Sequence, residues 1–123
     1  MINKFYKKIN ILPDTKFFDI IVDDGSHKLS DLIISLNTFY KNLKPGGLFV
    51  IEDFKHPNYY KHLYDCAELN MIEIINLINN KENFNSNILN KETILDILNS
   101  IEFVNTYKGL RKDSDIAFFK KLD

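Results

Sequence analysis

The chain has 123 residues, enough for one hydrophobic core and too few for two ordinary domains. Its 45% hydrophobic and 27% charged residues are typical of a folded globular protein and exclude an intrinsically disordered one. A formal net charge of −1 excludes a global electrostatic field that would recruit nucleic acid or an anionic membrane surface. The single cysteine, Cys66, excludes an internal disulfide framework and favours a reducing compartment.

The beginning of the chain is basic and shows no apolar signal core followed by small residues. No stretch approaches the roughly 18 consecutive apolar residues that cross a bilayer. We therefore expect a cytoplasmic protein with neither a membrane nor a nucleic acid as partner. Residues 1–16 are expected to be a leader segment, and residues 17–123 a single α/β core.

Two short apolar runs, residues 17–22 and 48–51, lack the alternation of a sheet with one wet face, so they predict strands covered on both faces. Residues 29–43 between them predict a helix, which ends at the Lys-Pro-Gly-Gly sequence of residues 44–47. Its apolar positions recur at helical spacing: Leu29, Leu32, Ile33, Leu36, Phe39, Tyr40 and Leu43. A right-handed crossover of this kind makes the two strands parallel neighbours.

Polar groups follow both predicted strands. Residues 23–27 read Asp-Asp-Gly-Ser-His, and Glu52 and Asp53 close the second strand. Ligands of open α/β sheets bind beyond the carboxyl ends of the strands, so these groups are expected to share one pocket. Carboxylate oxygens suit Mg²⁺, whereas Zn²⁺ would demand more nitrogen or sulfur. The alternative is that residues 23–25 serve only as a turn.

Later elements are predicted from the same signals. Residues 59–79 predict one helix, with Cys66 as a buried and inert thiol in its middle. The asparagine-rich residues 81–90 predict an exposed loop, and Asn90 is expected to cap a second short helix. Two apolar segments, residues 101–107 and 115–120, are expected to form a terminal hairpin.

The combination of Asp-Asp-Gly-Ser-His at residues 23–27, Lys-Pro-Gly-Gly at 44–47 and Glu-Asp at 52–53 resembles class I S-adenosylmethionine-dependent methyltransferases. The nearest resemblance is to the metal-dependent sugar O-methyltransferases of macrolide tailoring, over residues 17–122. It implies an α/β fold, a partial Rossmann-like methyltransferase sheet made of strands four to seven of the family fold, with flanking helices. It also implies S-adenosylmethionine and Mg²⁺ as cofactors, and a sugar or polyol hydroxyl on a small-molecule acceptor.

The same resemblance assigns roles to individual residues. It implies that Asp24, Glu52 and Asp53 bind the metal, that His27 is the general base, and that Asp23 contacts the cofactor. An imidazole exchanges protons near neutral pH, which suits a base acting on an alcohol. The alternative for His27 is an exposed histidine at a helix start. His56 either reaches the same cleft or is solvated in its loop.

The family's Gly-x-Gly-x-Gly cofactor loop has no counterpart, because the four glycines are Gly25, Gly46, Gly47 and Gly109. The sequence therefore predicts a truncated methyltransferase domain that lacks most of the cofactor pocket. One expectation is methyl transfer once the missing half is supplied. The alternative is a catalytically inactive remnant that acts only with a separate amino-terminal half or as a homo-oligomer, because its first strand would be an exposed edge. A phosphoacceptor receiver domain is disfavoured, because receivers place their acidic pair after the first strand.

Overall fold

A computed structural model describes residue 16 and residues 18–123, so the leader segment expected over residues 1–16 lies almost wholly outside the described residues. The elements follow one another in the order β1 Phe18–Asp23, α1 Leu29–Phe39, a 3₁₀ turn Tyr40–Asn42, β2 Leu43–Glu52, α2 His56–Tyr59, a 3₁₀ turn Lys61–Leu63, α3 Met71–Asn79, α4 Lys91–Ser100, β3 Ile101–Tyr107 and β4 Ile116–Lys121. A parallel pair joined by a helix thus precedes a terminal hairpin, as the sequence predicts.

The described strands form one sheet in the order β1-β2-β4-β3. Strands β1 and β2 are parallel, with Ile21 opposite Phe49 and Asp23 opposite Ile51. Strand β4 is antiparallel to both of its neighbours, β2 and β3. This mixed sheet with flanking helices is the predicted α/β architecture, and it brings the carboxyl ends of β1 and β2 together at one edge.

The boundary between α1 and β2 differs from the prediction. Leu43 begins β2 and does not end the helix, because it pairs with Phe18 in the parallel ladder. The residues of the Lys-Pro-Gly-Gly sequence belong to the same strand, with an irregular register there. Gly46 adopts φ +79°, and its N–H donates to the carbonyl of Leu122 at 2.9 Å. The glycine thus supplies a left-handed step inside the strand and not the end of the helix.

The single helix predicted over residues 59–79 is wrong. Helix α2 ends at Tyr59, and α3 begins only at Met71. Asn70 caps α3, since its side chain accepts from the N–H of Glu73 at 2.9 Å and donates to the Glu73 carboxylate at 2.8 Å. Cys66 therefore lies in an irregular segment and is half-buried, and burial raises the pKa of its thiol.

The irregular segment before α3 contacts the start of α1. Asp65 accepts a hydrogen bond from the N–H of Ser30 at 2.9 Å, and its other carboxylate oxygen accepts from the Ser30 hydroxyl. Lys28, at the N-cap of α1, makes no side-chain capping bond. A residue distant in sequence therefore supplies the cap that the local sequence lacks.

The remaining elements agree with the prediction. Residues 81–90 form a loop, and Asn90 caps α4 by accepting from the N–H of Thr93 at 2.8 Å. The edge strand β3 is partly satisfied by α3, because the Asn79 side chain donates to the Val104 carbonyl at 2.8 Å and accepts from its N–H at 2.9 Å. Strands β3 and β4 form the expected antiparallel hairpin.

The two faces of the sheet differ. One face carries Phe49, Ile51 and Phe119, which are fully buried in one core cluster with residues of α1, α3 and α4. The other, here called the open face, carries the side chains of opposite register in all four strands. These are the apolar Ile20, Val22, Leu48, Val50, Phe103, Tyr107, Ile116 and Phe118, together with the polar Glu52, Asn105 and Lys120. The expectation that both strands are covered on both faces is therefore wrong for β1, where Ile20 is 59% and Val22 56% exposed. None of the helices described over residues 18–123 has the length and hydropathy of a membrane-spanning segment.

Candidate active site

The predicted site residues lie at the carboxyl ends of β1 and β2 and just beyond them. Asp23 is opposite Ile51 in the ladder, so the residues that follow each strand are neighbours in space. The Nε2 atom of His27 lies 3.9 Å from Asp24 Oδ1 and 3.7 Å from Asp53 Oδ2. The two sequence motifs, separated by a helix, therefore form one cluster.

His27 and Asp53 adopt left-handed backbone conformations, with φ 64° and φ 57°. Non-glycine residues rarely occupy this region, and such strain concentrates at functional sites. The two positions face each other across neighbouring strand ends. The backbone thus fixes the imidazole and the carboxylate towards a common space at a conformational cost.

Three carboxylates crowd the cleft. Repulsion from Asp24 is the largest cause that raises the pKa of the Glu52 carboxyl, followed by desolvation and by repulsion from Asp53. A carboxyl whose neighbours oppose its ionisation marks a place where positive charge is favoured. The oxygen-rich set of Asp24, Glu52 and Asp53 therefore fits a hard divalent cation such as Mg²⁺.

Asp23 is placed differently from the other acidic residues. Its Oδ1 accepts from the N–H of Gly25 at 3.1 Å, which closes the turn considered as an alternative in the sequence. Burial is the largest influence on the Asp23 carboxyl and raises its pKa. The structure therefore gives Asp23 a role in the turn, while Asp24 points to the shared cluster.

His56 lies in the cleft. Its Nε2 atom is 3.8 Å from Asp53 Oδ1 and 3.7 Å from Asp113 Oδ2. The rings of His27 and His56 are in edge contact, with centroids 4.7 Å apart. Of the two alternatives for His56 in the sequence, the structure places it against the site and not in solvent.

The β3–β4 connection contributes acidic groups that the sequence analysis missed. Asp113 is buried and accepts from the Tyr60 hydroxyl at 2.6 Å. Asp115 is also buried and pairs with the Lys55 ammonium at 2.7 Å. The antiparallel hairpin was the available signal, because its second strand must begin at the edge where the parallel strands end.

Two ring nitrogens in this cluster are buried without a hydrogen-bond partner in the described part of the chain, Nδ1 of His27 and Nε2 of His56. Buried polar atoms are normally paired, and the unpaired Nε2 of His56 lies beside Asp53, whereas the His27 nitrogen that lies beside Asp53 is Nε2 and not the unpaired Nδ1. His27, Asp53 and His56 each offer one ligand atom, and these atoms lie within 4.8 Å of one another. The cleft therefore offers metal ligands beyond the predicted carboxylates.

No family model matches the chain. Over 37 residues it is 43% identical to an 8-demethyl-8-alpha-L-rhamnosyl tetracenomycin-C 2'-O-methyltransferase of Streptomyces olivaceus, covering 30% of this chain and 10% of that protein. Over 36 residues it is 47% identical to demethylmacrocin O-methyltransferase of Streptomyces fradiae and to mycinamicin VI 2''-O-methyltransferase of Micromonospora griseorubida, each time covering 29% of this chain and 9% of the relative.

Solved structures extend the likeness to nearly the whole chain. The MycE methyltransferase of the mycinamycin biosynthetic pathway, in complex with Mg, SAH and mycinamycin VI, matches with a TM-score of 0.63 at 23% identity, over 97% of this chain and 29% of that one. The chain has the fold of a partial methyltransferase. A second structure of that enzyme, with Mg and SAH, matches with the same TM-score at 21% identity.

The chain spans 29% of the length of the enzyme that it matches in structure. Its similarity to the sugar O-methyltransferases is thus confirmed locally in sequence and along nearly all of the chain in fold. The partial Rossmann-like sheet expected from the strand-end motifs is confirmed as well.

Proposed function

We propose that this chain is the metal-binding half of an S-adenosylmethionine-dependent O-methyltransferase that acts on a hydroxyl of a sugar or polyol. The observation that carries the proposal is the convergence of Asp24, Glu52, Asp53 and His27 beyond two parallel strands. Its support is the likeness to O-methyltransferases in sequence and to a methyltransferase solved with Mg and SAH.

The carboxylates of Asp24, Glu52 and Asp53 would hold Mg²⁺. When bound, the ion neutralises their mutual repulsion and lowers the pKa of a hydroxyl in its shell. Asp53 is held by its left-handed backbone and contacts both histidines, so it orients the cluster as well as contributing charge.

His27 takes the proton of the acceptor hydroxyl. The cofactor, held largely by residues outside this half, would supply the sulfonium methyl group that the hydroxyl oxygen takes, with S-adenosylhomocysteine as the leaving group. Asp24 and Asp53 lie within 4 Å of the His27 ring nitrogen and stabilise the imidazolium that forms. The side chain is 22% exposed, so solvent can later remove the proton.

The rest of the cofactor pocket must come from outside residues 18–123, because the described glycines form no cofactor loop. We propose that the open face and the edge of β1 receive the remaining half of the domain, from another segment, a separate chain or a second copy. Ile20 and Val22 favour this, since they are apolar and more than half exposed on the edge strand. The same observation favours the second candidate, an inactive remnant that acts through a partner.

The test is a thermal-shift titration of the full chain with S-adenosylhomocysteine, with and without Mg²⁺, since a ligand of the folded state raises apparent stability. A saturable rise that Mg²⁺ enhances supports the proposal. A response to Mg²⁺ alone would mean that the metal-binding half is intact and that a partner must supply the rest of the cofactor pocket. No response to either ligand overturns the proposed function.

The ligand set is tested with the double variant Asp24→Asn, Asp53→Asn, measured by calorimetric titration with Mg²⁺. We expect the double variant to lose Mg²⁺ binding. Asp19→Asn is the matched control, because Asp19 lies on β1 with its side chain 81% exposed and away from the cluster. Equal Mg²⁺ affinity in the double variant and the wild type would show that these carboxylates are not the ligands.

A further inference from the structure

Two of the three histidines of the chain meet at the cleft, although 28 residues separate them in sequence. Their rings make an edge contact at 66° with centroids 4.7 Å apart. His27 lies in the loop between β1 and α1, and His56 lies in the first turn of α2. Asp53 lies between them, with one carboxylate oxygen 3.7 Å from His27 and the other 3.8 Å from His56.

His56 carries the decisive atom. Its side chain is only 13% exposed, and Nε2 is buried with no hydrogen-bond partner among the described residues. Oxygens of Asp53 and Asp113 lie 3.8 Å and 3.7 Å from it, too far for hydrogen bonds yet close enough to share an ion with it. A buried ring nitrogen left unpaired costs free energy that a bound cation would recover.

The environment favours a cation. Asp113 is fixed by the Tyr60 hydroxyl, which donates to it at 2.6 Å, and the same carboxylate oxygen lies 3.7 Å from His56 Nε2. Arg111 lies 3.6 Å from the other oxygen of Asp113 but is largely exposed. The ammonium of the nearby Lys55 forms an ion pair with Asp115. The negative charges of Asp53 and Asp113 therefore face the two imidazoles.

We propose that His27, His56 and Asp53 form a second divalent-cation site, distinct in donor chemistry from the carboxylate set and selective for a borderline ion such as Zn²⁺. Two imidazole nitrogens and one carboxylate suit Zn²⁺ or Co²⁺, whereas Mg²⁺ prefers oxygen donors throughout. The ligand atoms lie within 4.8 Å of one another. Zinc–ligand bonds of about 2.0–2.2 Å require a closer arrangement, so an ion would have to draw the three side chains together.

The presence of Asp53 in both donor sets has a consequence, which rests on the proposed function. Asp53 belongs to both donor sets, so an ion in the nitrogen site competes with Mg²⁺ for that carboxylate. The same ion occupies His27, whose lone pair is then unable to accept the proton of the acceptor. Zn²⁺ is therefore an inhibitor that acts at the site and not a substitute for Mg²⁺.

The test is a Co²⁺ titration of the full chain followed by visible absorption, because the band intensities of Co²⁺ report coordination geometry and nitrogen ligation. We expect intense tetrahedral bands that equimolar Zn²⁺ abolishes and that Mg²⁺ weakens only in large excess, because the two sites share Asp53. His56→Ala and His56→Gln should each weaken Co²⁺ binding by at least about tenfold. Circular dichroism of the glutamine variant verifies that it remains folded.

His62→Ala is the matched control, because His62 is exposed and lies in the 3₁₀ turn outside the cluster. It should bind Co²⁺ as the wild type does. Equal Co²⁺ affinity in the wild type and both His56 variants overturns the proposal, as does loss of binding in the control. Asp24→Asn separates the two sites, because it should weaken Mg²⁺ binding and leave the Co²⁺ bands unchanged. Co²⁺ bands without any Mg²⁺ binding would uphold this site and overturn the carboxylate one.

Discussion

The two faces of the sheet are built from the same strands but differ in how far the rest of the chain covers them. The helix-covered face holds Phe49, Ile51 and Phe119 in the continuous core. Across residues 18–123, Val50 is the one buried hydrophobic residue outside that core cluster, and it belongs to the open face. The helix-covered face therefore stabilises the chain, and the open face, where Ile20 and Val22 are more than half exposed, is the one on which we propose that the rest of the domain docks.

The largest expected effect comes from comparing two single variants, each of which removes a phenylalanine from a different face of β4. Phe119→Ala should destabilise the chain by about 3–5 kcal/mol, because Phe119 is fully buried against Phe49. Phe118→Ala, its neighbour in sequence, should cost clearly less, because Phe118 is half-buried and packs on the exposed Tyr107. Urea unfolding of both variants measures the difference. Equal losses would show that the faces are equally covered.

The two edges of the sheet extend the comparison. Asn79→Ala should cost about 1–3 kcal/mol, because it leaves both backbone groups of Val104 without their partner on the covered edge strand β3. Asn76→Ala on the exposed side of α3 is the control and should change stability little. Chemical denaturation of the two variants decides. A loss in the control as large as that of Asn79→Ala would mean that the helix, not the edge contact, is being measured.

A smaller effect is expected at Glu52. Its side chain lies on the open face, at the end of β2 that is nearest the site. Repulsion from Asp24 raises the pKa of Glu52 in the folded state above its ordinary value. The folded state therefore loses stability as the pH rises from the ordinary value through the raised one. Without Mg²⁺, Glu52→Gln should raise the melting temperature at pH 7, and the gain should vanish at acid pH. A melting temperature lower than that of the wild type at pH 7 would contradict the crowding of these carboxylates.

The smallest expected effect belongs to the β1 part of the open face. Ile20→Thr keeps a β-branched side chain and should change the stability of the isolated chain by less than about 0.5 kcal/mol, because Ile20 is mostly exposed. Sedimentation velocity should show less self-association in the variant if copies pair through this edge. A large loss of monomer stability would show instead that Ile20 is covered within the chain.

Local signals in the sequence were sufficient for much of the fold. The apolar runs of β1 and β2 and the periodicity of α1 predicted a parallel pair, and the strand-end motifs predicted where the carboxylates and His27 meet. The same apolar letters in β1 could not say which face would be covered, because coverage depends on elements elsewhere in the chain. Ile20 and Val22 read as core residues and are exposed.

The misread segment has a different cause. Residues 59–79 carry apolar side chains at intervals that suit a helix, yet the part between α2 and α3 is irregular apart from one 3₁₀ turn and bonds to α1 through Asp65 and Ser30. The signal that was available is Asn70 followed by Glu73, which predicts a helix start. Asp113 beside His56 could not be found by local reading, because the terminal hairpin brings it there from 57 positions further along the chain.

The hydrogen bond between Asp65 and Ser30 also determines which part of the molecule should open locally. It ties the irregular segment to the first turn of α1, immediately after the loop that carries His27. The hydrogen bond from Ser30 is the largest cause that lowers the pKa of Asp65, so acidification through its titration releases the segment. Amide hydrogen exchange at Ser30 should then accelerate while the β2 core remains protected, because local opening does not require global unfolding. The irregular segment and the first turn of α1 would thus open first, while the sheet stays folded.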